Sequence, residues 1–441
     1  MWGFYPVEVC VLSVSAALES LRGCLNDEFP ASSGTRIFDV SFPLHDAFDP
    51  LLWCGHQPQW PQFYWQQRSG DEELAALGAV KRFSSLAEAQ RFLQHQQHQD
   101  LRICGLNAFC PQVGALVLPR LEWRRVGGRA SLRLVLCSDA SLREDAHAAR
   151  EFLHSLTAEQ ARPGAIPELL SERHVPEYPR WRELILQATR AIAAAEMAKV
   201  VLARATDLRF AAPLDAWSIM AASRRSNFNC FHFLMAFNPQ QAFFGSTPER
   251  LWRRRGTLLR TEALAGTVAG HADDRQAQAL ADWLMHDDKN QRENMLVVED
   301  ICQRMRDEVQ MLEVLPPQVV RLRNVQHLRR CIWTALNASD DTRCLLQLQP
   351  TAAVAGLPRR AALDFITQNE PFTREWYAGS AGYLSLAQSE FCVALRSAKV
   401  ENDTLRLYAG AGIVSGSDPE QEWQEIENKA AGLRSLLLRK M

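Results

Sequence analysis

No CxxC pair occurs among the eleven cysteines, which are scattered singly between Cys10 and Cys392. A disulfide framework and a zinc ribbon both depend on paired spacing, so neither is expected. Reduced thiols of a cytoplasmic protein are the simpler reading. The first basic residue is Arg22, so the early positive region of a signal peptide is missing. No apolar run is long enough to suggest a membrane-spanning helix. Net charge is nearly absent as well, since 49 basic and 51 acidic residues leave −2. A chain so balanced has no global field to bind nucleic acid or a membrane surface. There is no HExxH motif and no cluster of histidines, which argues against zinc. Internal repeats and low-complexity tracts are also missing. The first dozen residues read as weakly structured, fit an upstream start codon, and are assigned no function.

What is present is a normal globular balance. The 441 residues are 47% hydrophobic and 23% charged, enough to bury a large core. Residues 13–25 read as a short amphipathic helix. Between about 36 and 140 the chain turns to short β-rich runs such as "RIFDVSF", "QFYWQQR" and "LRICGLNAF". Helical patterns interrupt them at 85–95 and 142–157. "RRVGGRASLRLVL" reads as a hairpin turning at Gly127 and Gly128. Four prolines within 157–179 mark a connection. The chain is therefore divided into a β-rich part (1–160), a Pro-rich connection (161–180) and a third region (181–441). In that last region a helix over 181–196 precedes the strand "KVVLARATDLRF". Hairpins follow at "CFHFLMAF" with "AFFGS" and at "ERLWRRR" with "TLLRTEAL". One long helix is expected over 273–310 and another at the end of the chain. Strands in hairpins, without regular βαβ alternation, give an α+β fold with antiparallel sheets.

Two acidic helices stand out. In "SDPEQEWQEIENKAAG" Asp418 suits an N-cap and Pro419 the first helical position. At about 100° per residue, Trp423, Ile426, Ala430, Leu433 and Leu437 form the buried side. Glu422, Glu425 and Lys429 fall within roughly a 60° arc bordering that side. Glu420 and Glu427 are expected to face solvent, and Glu427 is expected to tolerate alanine. Spacing alone leaves two readings of the arc: a first-turn dipole effect with a Glu425–Lys429 pair, or a metal and acid-base site. In "DDKNQRENMLVVED", Lys289, Glu293 and Asp300 share a face, again a salt-bridged stripe or a set of ligands. Carboxylates from two helices suit Mg²⁺, which takes few of them and completes its shell with water or substrate.

Other stretches have two readings each. "GAGIVSGSDPE" is a tight turn or an anion-holding backbone nest; it is not GxGxxG. "RLWRRRGTLLR" suits a solvated hairpin tip better than a nucleic-acid patch. Lys199 snorkels to the surface or, if buried, serves as a base. His327 is a hydrogen-bonded core residue or a catalyst.

Ten segments in order then resemble one family, the chorismate-utilising enzymes: "KVVLAR", "GSTPERL", "LAGT", "KNQRENMLVVED", "VQHL", "QPTAAVAGLP", "EWYAGSAGY", "ALRSA", "LYAGAGIV" and "DPEQEWQEIENKA". The resemblance covers about 185–440. The N-terminal "PQFYWQQR" and "PRLEWRR" resemble isochorismate synthases of the menaquinone route. The resemblance implies two interleaved antiparallel β-sheet subdomains flanked by helices, with the site between them. It implies Mg²⁺ held by Glu293 and Glu425, with Glu422 beside it. Lys429 and the backbone of Gly410, Ala411 and Gly412 would meet a substrate carboxylate. Arg396 and Tyr408 would bind the enolpyruvyl carboxylate. Gly266, Thr267 and Thr351 would line the ring, and His327 would approach the C1 carboxylate or the leaving hydroxyl. Lys199, where anthranilate synthases carry glutamine, would activate water, and Glu249 would protonate the C4 hydroxyl as it leaves. Ala265 stands where one type of aminodeoxychorismate synthase has a nucleophilic lysine. Gln349 and Ala352 replace the family's His and Pro. The expected substrate is chorismate and the expected product isochorismate, with no amidotransferase subunit. Salicylate synthase, a siderophore-route isochorismate synthase and a silent chorismate-binding protein are the alternatives.

Overall fold

A computed structural model describes residues 13–43 and 48–437. The opening dozen residues lie outside the described ones. The strands form two antiparallel sheets, of twelve and ten strands, and the described residues also form eleven α-helices.

The sheets are interleaved in sequence. In the larger one, Gln62–Gln66 from the N-terminal part pairs with Phe231–Asn238, whose hairpin partner Gln241–Thr247 leads on to Ser397–Glu401, Thr404–Ile413 and Lys199–Phe210. In the smaller one, Ile103–Asn107 pairs with Ser380–Leu384, which continues to Gln388–Val393, Arg250–Arg255, Leu258–Ala269 and Val325–Leu336. Within the Pro-rich connection, Leu169–Val175 is a strand along Lys199–Phe210.

Side-chain alternation separates two cores. Phe63, Trp65, Phe231, Phe233 and Met235 enter a core with residues of the ten-stranded sheet, such as Leu106, Trp252 and Phe391. Their neighbours Tyr64, Leu234 and Ala236 point the other way, onto Val14–Cys24, Leu142–His154 and Ala216–Ser226. Both faces of these strands are buried, so they read as nearly continuous apolar runs. A third core packs the helices Tyr178–Ala193, Arg359–Asn369 and Pro419–Leu437 over the Lys199–Phe210 strand.

The hairpins stand where the sequence puts them, including the two-residue turn at Gly127, whose φ is +58°. The single helix expected over 273–310 is instead two, Asp274–His286 and Asp288–Met305. Asp287 has an extended backbone (φ −78°, ψ 112°), and its side chain caps the second helix by accepting from the Asn290 backbone N–H. The break aims that helix separately, and the second helix carries Glu293. Among the described residues no helix is long and apolar enough to cross a membrane.

Candidate active site

A cavity of about 660 Å³ opens where the two sheets meet the helices Asp288–Met305 and Pro419–Leu437. That size suits a small-molecule ligand. Thirteen of the fifteen residues singled out from the sequence line it: Lys199, Glu249, Gly266, Thr267, Glu293, His327, Arg396, Tyr408, Gly410, Gly412, Glu422, Glu425 and Lys429.

Lys199 opens its strand and is 1% exposed, so it does not snorkel. Its Nζ donates to Glu293 Oε1 at 2.9 Å. Room for the lysine comes from the neighbouring strand. A Cβ on Gly412 would stand 3.0 Å from Lys199 Cε and 3.6 Å from Glu293 Oε1. Burial pushes the Glu293 carboxyl up, but Lys199 and then Lys429 outweigh it and hold it below its usual range.

Glu249 follows the strand Gln241–Thr247 and is 2% exposed. Its Oε1 is buried with no hydrogen-bond partner. Burial, reinforced by the Glu262 carboxylate, pushes its pKa up to about 8 against the pull of Lys199, Arg396 and Lys429. A carboxyl shifted this far is mostly protonated at neutral pH.

A β-bulge shapes the opposite wall. The Leu258–Ala269 and Val325–Leu336 ladder slips between Leu264 and Thr267, where Gly266 has φ +84°. A Cβ on Gly266 would meet Asn290 at 3.2 Å, so glycine is needed both for the conformation and for the close approach. The slip sets Thr267 opposite His327, and their side chains bond through Nδ1 at 3.0 Å. The other ring nitrogen, Nε2, accepts from Arg396 Nη2 at 3.1 Å. Burial, with Arg396 and Lys429 nearby, holds His327 well below its usual pKa. The ring is thus neutral, with its proton on Nδ1 facing Thr267 Oγ1, and both nitrogens are engaged. His327 therefore orients Arg396.

The last helix completes the cavity. Asp418 accepts from the N–H groups of Glu420 and Gln421 at 3.1 and 3.0 Å, which fixes the helix start. Lys429 Nζ bonds Glu425 and the Gly410 carbonyl, the latter at 3.0 Å. Burial raises Glu422 to about 7; Ser417 donates to it at 2.7 Å and Glu425 adds repulsion. Among the described residues no group of three or more His, Cys, Asp or Glu is arranged to hold a metal ion. The donor set still fits Mg²⁺: Glu293 and Glu425 reach the same space from two helices, leaving most of a six-oxygen shell to water and ligand.

Two residues fall outside the cavity. Ala411 is one residue out of phase with Gly410 and Gly412 in the Thr404–Ile413 strand, and packs with Ile413 and Ile426 in the helix-covered core. Thr351 is buried with its Oγ1 unpartnered, and Ala353 and Val354 of the same loop line the cavity instead. In that loop Gln349 Nε2 donates to the Ala108 carbonyl at 2.6 Å.

Glu427 is a correction. It is expected in solvent, yet it bonds Arg204, which is itself 2% exposed and lies 4.1 Å over the Trp423 ring. Glu427 stands one helical turn beyond Trp423, so it borders the buried side at its other edge. Glu420 is exposed.

Sequence reading also passes over several residues. Asn290 accepts from the Thr267 N–H at 3.0 Å and so holds the bulge. Tyr377 stacks on Tyr408 at 5.1 Å and 10°. Both lie inside quoted motifs, where their polar or aromatic character is the available signal. Arg68 and Glu262 lie outside the cavity but brace Glu249; they stand in the quoted segments "PQFYWQQR" and "TLLRTEAL", yet nothing local marks them as a pair.

An antiparallel α+β scaffold with a cavity between its sheets lined by both cations and carboxylates defines an enzyme that works on a small polar molecule. Residues 107–438 match the chorismate binding enzyme family, and the chain belongs to it. The isochorismate synthase MenF of Escherichia coli (strain K12) is 65% identical over 96% of this chain and 99% of its own length. The isochorismate synthase MenF of Haemophilus influenzae is 40% identical over 89% of this chain and 90% of its own. The solved structure of the menaquinone-specific isochorismate synthase from Escherichia coli superposes with a TM-score of 0.95, covering 97% of this chain and all of that one.

Proposed function

We propose that this chain converts chorismate to isochorismate for menaquinone synthesis in the cytoplasm, with Lys199 as base, Glu249 as acid and Mg²⁺ bound by Glu293 and Glu425. The observation that carries the assignment of roles is the pairing of unlike groups in one cavity. A buried amine at Lys199 and a proton-bearing carboxyl at Glu249 share it with the cations Arg396 and Lys429.

Lys199 takes a proton from the water that forms the new C2–O bond. Glu249 gives its proton to the C4 hydroxyl, which departs as water while the ring double bonds shift. One water enters and one leaves, so the net change is an isomerisation. Arg396, held by His327, binds the enolpyruvyl carboxylate together with Tyr408, and Gly266 and Thr267 bound the ring. Lys429 and the Gly410 and Gly412 backbone face the other carboxylate, with Glu422 at its edge. Bound Mg²⁺ supplies a cation for the charge that grows on the C1 carboxylate. The base role requires Lys199 free of its ion pair, which is met when Glu293 is engaged elsewhere. Ala265 leaves no amine for covalent addition to the ring.

Incubation with chorismate and Mg²⁺ followed by separation of products tests this reading. Isochorismate without pyruvate supports it. Salicylate plus pyruvate would make the chain a salicylate synthase, and absence of turnover would make it a binding protein. Lys199→Ala and Glu249→Gln should each be folded and nearly inactive; near-native rates would remove the assigned roles.

A further inference from the structure

Glu249 is bracketed by two residues that do not line the cavity. Arg68, just past the Gln62–Gln66 strand, donates through Nη1 to the Pro248 carbonyl at 2.6 Å. Both its terminal nitrogens also hold Glu262, at 2.7 and 2.8 Å. Glu262 in turn accepts from the Arg250 backbone N–H at 2.7 Å. The peptide groups on either side of Glu249 are thereby fixed by a single ion pair. Such a bidentate pair resists rotation and displacement better than a point contact does.

The same pair sets the local charge. Glu262 is 1% exposed and, despite burial, Arg68 keeps it below its usual range and so ionised. Glu249 faces this anion on one side and Lys199, Arg396 and Lys429 on the others. Three cations favour the ionised form of Glu249; burial and Glu262 oppose it. Two carboxyls in different surroundings, one paired and one with a bare oxygen, titrate apart.

We propose that Arg68 and Glu262 are positioning residues for Glu249, clamping its two flanking peptides and placing a fixed negative charge beside its carboxyl. The inference rests on the acid role proposed above for Glu249. It assigns a catalytic purpose to an ion pair that otherwise reads as ordinary core bracing.

The test is the pH profile of kcat, with KM for chorismate and the unfolding midpoint measured alongside. In the parent protein the rate should fall as pH rises through about 8, when Glu249 loses its proton. Glu262→Gln removes the charge and strands Arg68, a fourth cation, so this alkaline limb should move down by about one pH unit. At pH 8 kcat should then drop about fivefold, approaching tenfold by pH 9, with KM within about twofold, because neither residue touches the cavity. If the single variant does not fold, Arg68→Met with Glu262→Gln removes both charges together, which buried pairs tolerate better; its limb should also move down. Arg68→Lys keeps the charges but loses the clamp, so kcat should fall with the limb in place. Folded variants with unchanged kcat and limb would overturn the inference while leaving Glu249 as the acid. A Glu249→Gln variant of full activity would instead remove the acid role, and this proposal with it.

Discussion

Two regions of this molecule bury charge, and they do it differently. Around Glu73, in the Glu72–Leu77 strand, each carboxylate oxygen has its protein partners. Tyr64 donates at 2.5 Å, Arg224 at 3.2 Å, and Arg125 through two nitrogens at 3.1 and 2.9 Å. Burial, together with Glu73, lifts the Tyr64 hydroxyl well above its usual pKa and keeps it a donor. In the cavity, Glu249 keeps one oxygen without a partner, and Glu422 and Glu425 repel one another. The first region is complete as it stands. The second is completed by what enters it, and incomplete pairing is the physical mark of a site.

The sharpest break of that comparison lies in turnover. Lys199→Ala and Glu249→Gln should each lower kcat by about 10²–10⁴-fold, the usual contribution of a positioned base or acid. The unfolding midpoint of Glu249→Gln should stay near the parent's, since a neutral side chain there copies its protonated form, whereas Lys199→Ala breaks the buried pair with Glu293 and should lower it. In the parent, loss of that proton should bring down the rate on the alkaline side of about pH 8. Glu249→Gln should abolish this limb. A rate insensitive to pH between 7 and 9 would show that Glu249 does not titrate in the working enzyme.

Metal removal comes next. Thorough chelation should stop turnover, and added Mg²⁺ should restore it. Glu425→Gln should raise the Mg²⁺ concentration needed for half-maximal rate. Undiminished activity after chelation would refute the metal.

Mutation of the complete region should do the reverse. Glu73→Ala leaves the part-buried Arg125 without its partner and takes one partner each from Tyr64 and Arg224, which keep each other, with Arg224 still held by Asp49. Breaking a buried pair in this way costs about 3–5 kcal/mol, read as a lower denaturation midpoint. The protein that remains folded should keep its KM for chorismate. A changed KM with an unchanged midpoint would erase the distinction between the two regions.

The sequence makes one of these regions far more legible than the other. Hairpins, the final helix and the side of it that meets the cavity follow from period and caps, because those signals are local. The family resemblance then points to Lys199, Glu249, Glu293 and Glu425, and all four line one cavity. The Glu73 cluster joins residues 151 positions apart, and Arg68 reaches Glu262 across 194. No local pattern encodes such pairings; they exist only once both sheets are assembled. The helix break at Asp287 hides for a different reason. An aspartate between two helical stretches reads as one more polar surface position until its extended backbone is seen. Ala411 sits inside a glycine-rich motif, yet strand alternation turns it away from the cavity.

The smallest effects, on the final helix, divide the two kinds of charge most finely. Glu420 and Glu427 are both acidic and both lie off the cavity arc, so helix periodicity treats them alike. Their neighbours do not. Glu427 closes on Arg204, whose Nε and Nη1 are already without partners, and whose guanidinium lies over Trp423. Removing that carboxylate leaves a buried cation with no hydrogen-bond partner, only the Trp423 ring face and the more distant Glu172 charge. Glu427→Ala should therefore lower stability by about 3 kcal/mol, between an unsatisfied polar group and a broken buried ion pair. Activity at low temperature should be kept, because Glu427 does not line the cavity. Glu420→Ala should change neither stability nor rate measurably, as is usual for an exposed surface position. Equal midpoints for the two variants would mean that Arg204 finds water or another partner, and that this edge of the helix is as solvated as its period suggests.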